Sequence, residues 1–208
     1  NLAFRENKID YVVDVGANEG QFIQNLRYYG YKHDALSFEP SLKAHKKLLE
    51  NSVNDANWKV FRPLALGNKN SQTVINISKN SVSSSLLNIN EEHIKNAPDS
   101  ETIDKQHTEE IKLDDLFHEL EIENKNLFLK IDTQGYEFQV LEGAKKTLDK
   151  FKGILVEVSL VELYEDQKKW QEIVDFVQNF GFKLWSVDRG FTNKINGKTL
   201  QMDLCFFK

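Results

Sequence analysis

The chain is 208 residues long, 40% hydrophobic and 28% charged, which suffices for one substantial core and is short for two. Its 27 Lys and Arg against 32 Asp and Glu leave a net charge of −5, so no basic excess is available to neutralise a phosphate backbone, and a dedicated nucleic-acid binder is not expected. A single cysteine, Cys205, excludes an internal disulfide framework and any zinc site built on several thiolates.

No apolar run approaches the roughly 18 residues that a membrane span needs, and the start, Asn1-Leu2-Ala3-Phe4-Arg5, lacks the apolar core of a signal peptide. The expectation is one acidic, cytoplasmic domain over residues 1–208. Tyr11–Val15 reads as a buried strand, followed by a small-residue loop and a helix whose apolar face carries Phe22, Ile23, Leu26 and Tyr29. A second strand at Ala35–Phe38 leads to a helix with Leu42, His45, Leu48 and Leu49 on one face, then a third strand at Trp58–Phe61. From Gly67 to Glu110 the pattern breaks down. Thr73–Ile77 suggests an added strand and Ser81–Ser85 a turn, while residues 88–110 are polar, interrupted by Pro98 and nearly aperiodic. Residues 79–110 are expected to form a mobile lid.

Beyond that segment, His118 falls in an expected helix after Leu116-Phe117, and strands follow at Leu127–Ile131 and Ile154–Val158. The longest apolar stripe, Trp170, Ile173, Val174, Val177 and Phe180, ends at Gly181, a helix C-cap. Phe182–Val187 and Asp203–Phe207 are strands too close in sequence for a helical crossover, so they should pair antiparallel. The expected fold class is α/β, a mostly parallel sheet with a reversed last strand and helices on both faces.

Val12-Val13-Asp14-Val15-Gly16-Ala17-Asn18-Glu19-Gly20 is the most informative stretch. A strand runs through a small-residue bend into a helix, and Phe38-Glu39-Pro40 closes the next strand about 20 residues on, where nucleotide-binding sheets place an acid for ribose hydroxyls. Dinucleotide loops use G-x-G-x-x-G, but position 18 is Asn. An acid at Asp14 also suits a sulfonium or ammonium better than a diphosphate. That charge logic favours S-adenosylmethionine (SAM), which leaves as S-adenosylhomocysteine (SAH), over NAD.

D-V-G-A-N-E-G, F-E-P and the later K-I-D-T-Q-G-Y-E-x-x-V-L-E-G-A, in this order over about residues 10–160, resemble the FkbM-type family of SAM-dependent methyltransferases. The resemblance implies a Rossmann-like class I methyltransferase sheet of seven strands with the last antiparallel. It implies O-methylation of hydroxyls on sugars or natural-product-like acceptors. It places Asp14, Gly16, Ala17, Asn18 and Gly20 under the methionine part of SAM, Glu39 on the ribose diol, and Ala65 near the adenine. Pro40 starts the helix after Glu39, and Ser84 with its serine neighbours is a candidate cap on cofactor or substrate.

Asp132, at the carboxyl end of the fourth main strand, is the leading base, orienting group or metal ligand, and Glu157 on the adjacent strand is its expected partner. The family more often has Glu where this chain has Gln134, so no metal is assigned. Lys130 is expected to pair with an acid below the sheet, and Glu137 suits a helix start whether or not it acts chemically. Of His93 and His107, both in the expected lid, His107 is taken as the weak catalytic candidate. Cys205 is expected to be a buried small hydrophobe. The expected partner is a small-molecule or carbohydrate acceptor. Two other readings stay open: an NAD-linked oxidoreductase on a similar sheet, which the loop and the absence of a Tyr-x-x-x-Lys disfavour, and a SAM-binding module without catalysis.

Overall fold

The computed structural model describes residues 2–208. In chain order its elements are α1 (Leu2–Glu6), β1 (Tyr11–Val15), α2 (Gln21–Tyr28), β2 (Asp34–Phe38), α3 (Leu42–Ser52), β3 (Trp58–Val60), β4 (Ala65–Leu66), β5 (Ser71–Ser78), α4 (Glu91–Asn96), β6 (Thr102–Ile111) and α5 (Leu113–Leu116). These are followed by β7 (Leu127–Ile131), α6 (Glu137–Gly143), β8 (Phe151–Ser159), α7 (Trp170–Asn179), β9 (Lys183–Arg189) and β10 (Gln201–Phe207). Seven strands form the main sheet in the order β3-β2-β1-β7-β8-β10-β9. The inner strands are parallel, and β10 enters antiparallel between β8 and β9. This is the expected mostly parallel sheet with a reversed last strand.

Alternation along the strands builds two cores. Val13, Val15, Leu36, Leu129, Ile131 and Val156 pack beneath α5, α6 and α7, while Val12, Ala35, Phe128 and Phe207 pack against α1, α2 and α3. Cys205 is half-buried beside the second core. Two expected helix stripes are narrower than their sequences suggest: Leu42 and Leu49 of α3 stay exposed, and Tyr29 lies past the end of α2 on the surface. Burial of Ala44 and Leu48 against the sheet decides which side of α3 faces inward.

The expected irregular lid over 79–110 is a built structure. From Thr102 onward it forms β6, which pairs along its length with β5, and β4 joins as the third strand of a small sheet. Alternation on β6 is masked because its inward positions, Thr108 and Glu110, are polar as well. Asn76 and Ser85 bridge the serine-rich turn to β5, and Ile89 is bridged to Tyr164. This small sheet and α4 stand over the carboxyl ends of the main strands, where open α/β sheets bind ligands.

Candidate functional site

The bend after β1 is held by close backbone contacts. Gly16 has φ +73°, and a Cβ there would lie 1.9 Å from the carbonyl oxygen of Asp132, so only glycine lets the two strand ends meet. The Asn18 amide donates to Glu39 Oε2 at 2.8 Å and the Ser41 amide to Glu39 Oε1 at 2.8 Å. A carboxylate has about four acceptor sites, so two remain for a ligand. Burial pushes the Glu39 carboxyl up to about 7, against the pull of those two amides. The buried Oδ1 of Asn18 has no partner among the described residues.

Two expected loop contacts lie elsewhere. Gly20 (φ +95°) packs on Trp58, where a Cβ would sit 2.4 Å from the indole, and it does not line the cavity. Asp14 is fully buried one layer below, ion-paired with Lys130 Nζ at 3.1 Å and accepting from Ser37 Oγ at 3.2 Å. Burial raises its carboxyl, and Lys130 opposes that rise. Its charge is answered from within the protein, so Asp14 braces the floor and does not face a ligand cation.

Lys130 pairs with the buried Asp14 below the cavity, as expected, and also reaches the cavity itself. Its ammonium also donates to the Gly16 carbonyl at 2.9 Å, approaches Asp132 Oδ2 at 3.7 Å and lines the cavity. Although burial lowers its proton affinity, Asp14 and Asp132 raise it above the ordinary lysine value. Positions 130 and 132 share a strand face, which is the signal the sequence reading passed over.

The cavity over these strand ends holds about 580 Å³. Gly16, Ala17, Asn18, Glu39, Pro40 and Ala65 line one half, as expected, together with apolar Phe38, Leu64 and Leu66. In the other half the Gln134 amide donates to Asp132 Oδ1 and to Glu157 Oε2, both at 2.8 Å, and its own oxygen accepts from the Tyr164 hydroxyl at 2.9 Å. Gln201 donates to the same Glu157 oxygen at 2.7 Å. Burial, then Asp132, Glu137 and Asp203, holds the Glu157 carboxyl well above its ordinary range. Glu137 accepts from the Thr133 and Gly135 amides at 2.9 and 3.0 Å, so it fixes the turn that presents Gln134. Ser84 lines the cavity and accepts from the Ser78 amide at 3.1 Å, while Ser85 donates to the Gln134 carbonyl at 2.7 Å.

His107 is exposed on β6 opposite Val74 and does not line the cavity, which corrects its candidacy. Ladder pairing fixes which way a β6 side chain points, and that pairing was not visible beforehand. His93 on α4 is the buried, cavity-lining histidine. Asp203 and Gln201 were also missed. Both come from β10, and only its insertion beside β8 brings them here. Among the described residues, no group of three or more His, Cys, Asp and Glu side chains is arranged to hold a metal ion. Glu39, Asp132, Glu157 and Asp203 face the cavity against the single cation Lys130, so it is anionic and fits a cationic, phosphate-free nucleoside.

A seven-stranded sheet with this strand order and a cavity of this kind is the fold of class I SAM-dependent methyltransferases. The chain belongs to the methyltransferase FkbM domain family, which matches residues 14–184. In structure it is similar to methyltransferase FkbM from Methylobacillus flagellatus (TM-score 0.58, 13% identity, 94% of this chain and 43% of that one). It also resembles an rRNA methylase from Streptococcus thermophilus (TM-score 0.52, 13% identity, 96% and 87%) and Aeropyrum pernix fibrillarin with natively bound SAM (TM-score 0.51, 8% identity, 95% and 66%). At these identities the likeness concerns the fold. The chain spans less than half of the Methylobacillus protein. None of the curated proteins compared is similar to it in sequence. No helix among the described residues is long and apolar enough to cross a membrane.

Proposed function

We propose that residues 1–208 act as one cytoplasmic unit that O-methylates a hydroxyl of a sugar, glycan or natural-product-like acceptor. The observation that carries this reading is the Asp132–Glu157 pair on the cavity wall, clamped by the Gln134 amide. When bound, SAM supplies an electrophilic methyl group and departs as SAH. Glu39 would take the ribose diol through its free acceptor sites, and Phe38, Leu64, Ala65 and Leu66 give an apolar slot for the base. A neutral alcohol is a poor nucleophile. The carboxylate pair serves to accept its proton, since the Gln134 amide holds both carboxylates side by side on the cavity wall. The Gln134 and Gln201 amides fix the direction of Glu157.

An NAD-linked reaction is not supported, because a diphosphate would enter an already anionic cavity. Calorimetry with SAM, SAH and NAD is the first test, and NAD binding without SAM binding refutes the proposal. Mass spectrometry over a panel of hydroxyl, amine and RNA acceptors tests the second part. Transfer to nitrogen alone overturns O-methylation, transfer to RNA alone overturns the sugar or natural-product acceptor, and SAM binding with no transfer to any of them favours a binding module.

A further inference from the structure

Sheet register draws four carboxylates into one row. Asp203 on β10 lies directly opposite Glu157 on β8 and opposite Asp188 on β9. Ile131 pairs with Val156, so Asp132 follows beside Glu157, where Gln134 bridges the two. Directly opposed like charges destabilise a sheet. Of the four, Asp132 is near Lys130 and Glu157 has two amide donors. The Asp203 side chain is half-buried and lines the cavity, and beyond the backbone ladders its carboxylate has no hydrogen bond or ion pair among the described residues. It stands two strands from Asp132, about 10 Å at ordinary sheet spacing. That places it on the acceptor side of the reacting centre.

An independent feature marks the same chamber. His93 is 3% exposed, lines the cavity, and has a buried Nδ1 without a partner. Its ring stands 5.5 Å from that of Phe191 and edge-on to Tyr164 at 5.1 Å. The Phe191 carbonyl accepts from the Gln201 amide at 3.1 Å, and Gln201 holds Glu157, so His93 closes the end of the chamber that the acids open. A neutral ring nitrogen wants a hydroxyl, and an unpaired carboxylate wants a cation.

We infer that the acceptor carries a protonated amine beside its hydroxyls, the amine held by Asp203 with Glu157 and a hydroxyl held by His93, as in an amino sugar or aminocyclitol. This rests on the methyltransferase reading and names its substrate class. The experiment is calorimetry on protein saturated with SAH, comparing glucosamine and 2-deoxystreptamine with glucose and myo-inositol. The amines should bind about tenfold more tightly, the size of one charge-assisted contact. Asp203→Asn should erase that preference with SAH affinity unchanged, and the exposed Asp188→Asn should reduce it in part without touching the core. Binding of neither class, equal binding of both, or a preference that survives Asp203→Asn overturns the inference. So does a preference that EDTA removes and Mg²⁺ restores, which would make the row a metal site. If SAH itself does not bind, the underlying reading fails first.

Discussion

Replacing Glu39 by Gln tests the cofactor half of the cavity in two independent ways. Both carboxylate oxygens already accept a backbone amide at 2.8 Å. A glutamine turns one acceptor into a donor, which sets N–H against N–H and leaves fewer acceptor sites for a ribose diol. Losing hydrogen bonds to a charged group costs about 1.5–3 kcal/mol each, so SAH affinity should fall roughly a hundredfold. Stability should move differently. The folded protein holds the Glu39 proton up to about 7, whereas an ordinary Glu releases it at 4.5. Between those values the unfolded chain binds fewer protons, so the contribution of this group is fully present below 4.5 and is lost as pH rises through about 7. A displacement of this size corresponds to about 3 kcal/mol. Urea unfolding of the ligand-free protein at either end of that window should show the decline in the wild type, and a smaller one in Glu39→Gln because Glu137 still titrates there. SAH affinity within twofold of wild type, or an unchanged pH dependence of stability, would refute the reasoning.

Other consequences are open to direct measurement. Asp132→Asn should lower turnover by about 10²–10³ while sparing SAH affinity, and an unchanged rate removes Asp132 from the chemistry. Gln134→Glu sets a third carboxylate between two that now share its amide, so thermal stability should drop and Mg²⁺ or Ca²⁺ should restore it; a melting curve indifferent to both cations speaks against this clamp. Gly16→Ala forces a Cβ onto the Asp132 carbonyl at positive φ, costing about 3 kcal/mol or more and roughly 10 °C in Tm. A bound cation favours ionised carboxylates, so SAM binding should release protons and tighten as pH rises towards about 7, where Glu39 titrates. Calorimetry in two buffers of different ionisation enthalpy reads this, and proton uptake would contradict it.

The parts legible in the sequence were those where the backbone dictates the residue. Gly16 must let two strand ends touch, and the short connection to β10 left that strand no route but a reversal beside its neighbour. The Asp132–Glu157 pair was legible because both follow runs of strand residues by a fixed count. Gln134 as their clamp was not, since the turn that aims it is set by Glu137 and by Tyr164 far along the chain. His93 and His107 look alike in composition. A helix tucked under Tyr164 buries one, and the outward phase of a ladder exposes the other. Asp14 misled because an acid before a glycine loop reads as ligand-facing until its cationic neighbour across the sheet is known. Gln201 and Asp203 lie more than 50 residues beyond the motifs and reach the cavity only through strand insertion.

That insertion has a consequence for the order of assembly. A chain emerging from the ribosome can set five parallel strands in place as they appear, yet β9 must wait one strand-width away from β8 until β10 slides between them. The wall bearing Gln201 and Asp203 is therefore the last to arrive. Cofactor recognition can mature early in synthesis, whereas the chamber for the second substrate exists only once the final strand is home.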